Sequence, residues 1–151
     1  MNTNELLEWS KTHQVVERTK EGFTVYLENW FKGNRRDYLN TFKEKSNLKV
    51  IRTKLDSIQL THINGYADFV YCNLDILYLG ESIGTYRCVF ALDGTDADDT
   101  IHFDRFTETT IREGTVKVEI VKKALQQGYS IEEIAKLVEL DVEWIRPLFE
   151  C

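Results

Sequence analysis

The sequence predicts an α+β fold: two N-terminal helices packed in a curved, cone-like antiparallel sheet of four strands, followed by a C-terminal helical hairpin. Three observations predict it. Residues 65–79 and 84–92 are rich in aromatic and branched aliphatic side chains and are bracketed by Gly-containing turns, the mark of paired strands. The segments before them and after residue 115 repeat their apolar residues at helical spacing. Neither helical face can be satisfied alone, and a sheet supplies the partner layer.

The first helix is expected over residues 4–31, capped by Asn4 and bent or interrupted at Gly22. Val16, Lys20, Phe23, Leu27 and Trp30 form its stripe, with the methylenes of Lys20 laid along the core. Gly33 stops it, and a second helix over residues 35–45 buries Tyr38, Leu39 and Phe42. A long strand is expected over 48–63, with a bulge near Lys54–Asp56 where the inward parity changes. Asn64-Gly65 predicts a two-residue hairpin turn into a strand over 66–79. Residues 80–84 turn the chain into a third strand over 85–92, and Asp93-Gly94 leads to a fourth over 100–106. Gly114 then separates the sheet from a helix over 116–127, whose stripe is Val116, Ile120, Val121, Ala124 and Leu125. Ser130 and Glu133 form a capping box that opens a helix burying Ile131, Ile134, Ala135, Leu137 and Val138. Asp141 caps a third tail helix over 142–149, limited by Pro147. The expected division is an α+β domain over 1–107 and a helical tail over 115–151.

Charge narrows the partner classes. The net charge is −6, and residues 130–151 carry 6 acidic against 2 basic side chains. Such a surplus repels phosphate backbones and weighs against a nucleic-acid binder. The 3 cysteines, Cys72, Cys88 and Cys151, show no C-x-x-C spacing. Two buried strand thiols and a free terminal one fit a reducing, cytoplasmic setting. The opening Met1-Asn2-Thr3-Asn4-Glu5 lacks the basic and apolar regions of a secretory signal. No apolar run reaches the roughly 20 residues of a membrane span.

The run Tyr26-Leu27-Glu28-Asn29-Trp30-Phe31-Lys32-Gly33-Asn34-Arg35-Arg36-Asp37-Tyr38-Leu39, followed by a meander ending in Gly84–Gly94, resembles the NTF2-like (SnoaL-like) superfamily. The resemblance covers roughly residues 5–106. It implies a cone with a pocket at its open end, a range of isomerases, dehydratases and non-catalytic members, and dimers through the outer sheet face. The segment Val121 to Ala135 resembles a short helix-turn-helix like that ending transposase-associated nucleases. No Glu-x-Lys triplet of a nuclease core accompanies it.

Acid–base chemistry in such a cone needs an inward carboxylate or imidazole with a displaced pKa. The candidates are His102 with Asp68 or Asp75, although the odd spacing of the two aspartates puts them on opposite strand faces. The bland alternative turns Ile101 and Phe103 inward and leaves His102 and Asp104 in solvent. Trp30, Tyr66, Tyr71, Tyr78, Tyr86 and Phe90 are candidates to line a pocket or simply to fill the core. The acidic turn at residues 93–99 lacks the EF-hand order, so no metal and no cofactor are expected. The third tail helix offers Trp144, Ile145 and Phe149 rather than amides and cations, which favours packing over DNA contact. The leading expectation is a non-enzymatic module binding a small apolar ligand or a protein partner, including a second copy. The alternatives are an isomerase or lyase working in the cone and a ligand-sensing helix-turn-helix regulator.

Overall fold

The computed structural model of the chain describes residues 1–150, with Ser46 described by its backbone alone. Cys151, the expected terminal thiol, lies outside the described residues. In order, the elements are α1 (Thr3–Thr12), α2 (Val15–Gly33), α3 (Arg35–Phe42), a 3-10 helix (Lys45–Val50), β1 (Ile51–His62), β2 (Asp68–Tyr78), β3 (Glu81–Ala91), β4 (Asp96–His102), α4 (Thr107–Gln126), α5 (Ile131–Val138) and α6 (Val142–Ile145), before a closing 3-10 turn at Arg146–Leu148. The strands form one antiparallel sheet in the order β1-β2-β3-β4. The α+β class and the four-stranded meander are as the sequence predicts.

The N-terminal helix departs from expectation. It is capped by Asn2, whose side chain and that of Glu5 bond each other's backbone N–H at 2.9 Å. The break falls at Gln14, in the left-handed region with φ 52°, and α2 runs through Gly22 without interruption. Gly22 serves close approach instead: a Cβ there would stand 2.9 Å from the Tyr86 hydroxyl. The buried stripe of α2 is Val15, Thr19, Phe23 and Leu27; Phe23 and Leu27 are as expected, but its first half falls one position before Val16 and Lys20, so Lys20 is exposed. Thr19 is tolerated there because its Oγ1 donates to the Val15 carbonyl at 2.7 Å.

The inner face of the sheet is built by Val70, Cys72, Leu74, Ile76 and Tyr78 of β2 and by Ile83, Tyr86, Cys88 and Phe90 of β3, all buried. The bulge in β1 falls between Leu55 and Ser57, where the parity change predicts it. Residues 48–50 belong to the 3-10 helix rather than to the strand, held by Asn47 Nδ2 donating to the Phe42 carbonyl at 3.1 Å.

The two hairpin turns exchange roles. Asn64 and Gly65 are the central residues of a turn closed by Tyr66 N–H to the Ile63 carbonyl at 3.0 Å, but β2 begins only at Asp68. Only Gly65 of the pair has positive φ, so this is not the mirror-type two-residue hairpin. That turn is Leu79-Gly80, with φ 51° and 88°, between the paired Tyr78 and Glu81. Left-handed backbone costs Leu79 about 1–2 kcal/mol. Burial of its side chain offsets this by about 1.5–3 kcal/mol. The third strand therefore starts before Gly84, and the fourth spans Asp96–His102 rather than 100–106.

Gly114 does not separate sheet from helix: α4 passes through it from Thr107. A Cβ at 114 would lie 2.3 Å from Tyr78 Cε1, so the glycine lets the helix cross against the Tyr78 ring. The buried stripe of α4 is Thr107, Ile111, Gly114, Val118, Val121 and Ala124, leaving Val116, Ile120 and Leu125 exposed. The Ser130–Glu133 capping box forms as expected. In α5 Ile134, Ala135 and Val138 are buried, but Leu137 faces solvent. The third tail helix is cut to Val142–Ile145, and Trp144 lies over Gly80 with the Arg52 guanidinium 4.9 Å from its ring.

Substituting Gly114→Ala should destabilise the fold by about 1–3 kcal/mol through overpacking against Tyr78. Gly33→Ala, where a Cβ meets nothing within 4 Å, should stabilise by up to ~1 kcal/mol. Paired urea unfolding curves check both; equal midpoints for the two variants would contradict the packing argument.

Candidate functional site

Helix α2 lies over the two central strands, with Phe23 and Tyr26 set edge-on to Tyr86 at centroid separations of 5.4 and 5.9 Å. The edge strands β1 and β4 are left partly uncovered, and each flank of the helix opens into a cleft.

The cleft on the β1 flank has a volume of about 600 Å³. Phe23 and Leu27 of α2, Leu48 of the 3-10 helix and Ile51 of β1 give it apolar walls; Glu28, Lys45 and Lys49 bring charge to it. Beyond it, Leu55 and Leu60 remain 40% and 39% exposed, although they stand opposite the buried Leu74 and Val70 on β2. Among the described residues this side of the inner face is only partly covered. The carboxylate of Glu28 is paired with Lys32 at 4.0 Å. Lys45 Nζ sits 4.7 Å from the Phe31 ring centroid, and Lys49 is exposed. Two buried polar atoms without a partner among the described residues lie on the flanking elements: Tyr38 Oη on α3 and Asn47 Oδ1 within the 3-10 helix.

The residues proposed for acid–base work do not converge. Asp68 pairs with His62 at 2.6 Å at the exposed end of the first hairpin. Asp75 accepts a hydrogen bond from Ser82 Oγ at 2.5 Å on the outer face. His102 stands opposite Thr85, which stands opposite Asp75, so it shares that outer face two strands away, roughly 10 Å. Ile101 and Phe103 are the half-buried neighbours, and His102 and Asp104 are exposed.

The aromatic set divides as well. Tyr66 is 86% exposed and lines nothing. Tyr71 lies on the outer face under the Arg87 guanidinium, 4.5 Å from its centroid. Tyr78, Tyr86 and Phe90 are buried core. Trp30, half-buried, lines the open cleft on the β4 flank. Sequence reasoning missed Lys45, Leu48 and Lys49 as wall residues because Lys45 reads as the end of the second helix and Leu48 and Lys49 as the start of a strand. The available signal was the broken alternation of β1, which puts apolar residues on a strand too polar to be covered.

The acidic turn after β3 is tied down by its own groups and by Arg18. Thr95 N–H and Oγ1 donate to Asp93 Oδ1 at 2.9 and 2.7 Å, and these bonds hold the Asp93 carboxyl below its ordinary range. Arg18 reaches Asp96 at 2.7 Å. Among the described residues no group of three or more His, Cys, Asp or Glu side chains is arranged to hold a metal ion. No helix is long and apolar enough to cross a membrane. Comparison with protein-family models, curated proteins and solved structures gives no match for this chain.

Burial raises the phenols of Tyr38, Tyr78 and Tyr86, and for Tyr86 the hydrogen bond to Asp99 adds to it. Below the ordinary value of 10.0 both folded and unfolded chains keep these protons. Above it the unfolded chain releases them first, so stability falls as pH rises through and beyond that value. In an alkaline titration the absorbance of these three tyrosinates should therefore appear together with the loss of near-ultraviolet circular dichroism. Their ionisation in a chain still folded would refute the assignment.

Burial likewise raises the thiols of Cys72 and Cys88. With Cys151→Ser removing the terminal thiol, the native protein should be inert to an aromatic disulfide reagent until denaturant is added. Rapid native labelling would show that these thiols are not buried under α2.

Proposed function

We propose that the chain is a non-enzymatic binding module that holds a small, largely apolar molecule with an anionic head in the cleft on the β1 flank of α2. The observation that carries this is an apolar cleft of about 600 Å³ on a face whose centre is otherwise filled by side chains. That volume lies within the range of ordinary small-molecule sites. Burying about 200 Å² of apolar ligand surface there contributes roughly 5 kcal/mol before the entropy cost of binding. The head-group preference comes from charge. Lys45 and Lys49 line the cleft, and its one acid, Glu28, is already matched by Lys32. In a chain of net charge −6 this is a locally positive mouth.

The kinship with NTF2-like cones belongs to the same proposal, and a helix laid across the inner face of a four-stranded antiparallel sheet supports it. The isomerase or lyase alternative lacks support from His102, Asp68 and Asp75, which lie at separate places outside the filled centre. The regulator alternative lacks a presented reading helix, because α6 is 4 residues long and its Trp144 is packed on the Gly80 turn.

Octanoate should raise the melting temperature and octanol should do so more weakly. Thr24→Trp, which fills the cleft from α2, should abolish both effects. Lys45→Glu with Lys49→Glu should reduce affinity for octanoate about tenfold while leaving octanol unchanged. Thermal shift and calorimetry read these outcomes, and failure of both molecules to stabilise the wild-type chain would rule the site out.

A further inference from the structure

The cleft on the opposite flank of α2 has a different chemistry. Its volume is about 650 Å³, and Tyr26 and Trp30, one helical turn apart on α2, form one wall. Phe103, just beyond β4, lines the same cleft, its ring centroid 6.3 Å from that of Trp30. Two carboxylates complete the lining, Asp37 from the first turn of α3 and Asp99 from the inner face of β4.

Both carboxylates are fixed by bonds from buried or half-buried aromatic groups. Trp30 Nε1 donates to Asp37 Oδ2 at 2.9 Å, and Tyr86 Oη donates to Asp99 Oδ2 at 2.6 Å. Each bond occupies one oxygen and leaves the other without a partner among the described residues. No lysine or arginine lines the cleft, and neither aspartate belongs to an ion pair among the described residues. Asp96, three residues before Asp99 on the same strand, is by contrast bound to Arg18 at 2.7 Å.

Two anchored negative charges against three aromatic rings select among ligands. An anion is repelled, and an uncharged apolar molecule strips water from the carboxylates without replacing it. A bare metal ion lacks a ligand set, since no three such donors come together among the described residues. An organic ammonium satisfies both features, with its charge balanced by the carboxylates and its methyl or methylene groups against the ring faces. We propose that the cleft between α2 and β4 is a binding site for a small organic cation of the alkylammonium class. It is separate from the lysine-bearing cleft and does not depend on what that cleft binds.

The probes are tetramethylammonium, choline and benzyltrimethylammonium, with the uncharged tert-butyl isostere of choline as control. The reporter is the indole N–H resonance of Trp30, identified by its disappearance in Trp30→Phe. At least one cation is expected to shift that resonance saturably, and the choline isostere to bind about tenfold more weakly than choline. Asp37→Asn and Asp99→Asn each keep an oxygen to accept the existing bond, and each should weaken the cation about fivefold or more. The double variant should abolish binding without changing the response to octanoate. The proposal is overturned if none of the three cations moves the resonance, if choline and its isostere bind equally, or if the folded double variant binds as the wild type does. The isostere comparison uses the unaltered chain, so it decides the matter even if a variant does not fold.

Discussion

The seating of α2 on the inner face depends on the contact between Gly22 and Tyr86. Because no Cβ stands between them, the helix backbone comes down onto the tyrosine hydroxyl, and Phe23 drops beside the same ring. This contact sits over the centre of the sheet, and the consequence is geometric. A helix with its side chains is roughly 10 Å across, whereas four strands at about 4.8 Å spacing make a sheet close to 19 Å wide. One helix seated on β2 and β3 cannot cover β1 and β4. The two clefts are therefore what remains when a single helix is fixed over the middle of a four-stranded face.

The ends of the sheet are closed by other means. At the β3–β4 turn, Arg18 donates to the carbonyls of Gly94 and His13 at 2.7 and 3.1 Å, bonds Asp96 and lies 4.8 Å from the Phe90 ring centroid. Its planar fork suits several acceptors at once, which a lysine would not. Trp9 adds a bond to the Leu92 carbonyl at 2.9 Å. At the β2–β3 turn the tail does the same work. Gly114 admits Tyr78, Trp144 covers Gly80, and Arg52 both stacks on Trp144 and donates to the Glu143 carbonyl. The tail is thus the closing layer for one end of the sheet, and its Trp144 is held in that contact.

What could be read in the sequence follows from how local each determinant is. The meander, the β1 bulge and the Ser130–Glu133 box depend on parity, turns and caps within a few residues, and all are recognisable there. The Gly22 and Gly114 readings failed because a glycine in a helical pattern looks like a breaker, while its use here is contact with tyrosines 64 and 36 residues away in the chain. Leu79 failed for a related reason: no propensity recommends a leucine at φ 51°, and only its tertiary burial makes that turn tighter than the one at Asn64-Gly65. The clefts were illegible because they are defined by what the helix does not cover. Trp30 was picked out as an aromatic, but Asp37 and Asp99 gain meaning only when the fold brings α3 and β4 to the same flank.

The two clefts share one helix, and the helical period divides its residues between them. Phe23, Thr24, Leu27 and Glu28 face β1, whereas Val25, Tyr26, Asn29 and Trp30 face β4. Pairs of neighbours alternate sides because four residues advance the helix slightly more than one turn. The difference in character then comes from the elements opposite: a lysine-bearing 3-10 helix on one flank and aspartates of α3 and β4 on the other. Opposite charges about 10 Å apart across a helix interact by roughly 1–2 kcal/mol at an effective dielectric near 20, and physiological salt screens much of that. The separation thus favours the empty fold slightly while keeping the two flanks chemically distinct. A single amphipathic helix, seated by one missing methyl group, is enough to leave one sheet face with two flanking clefts of opposite charge.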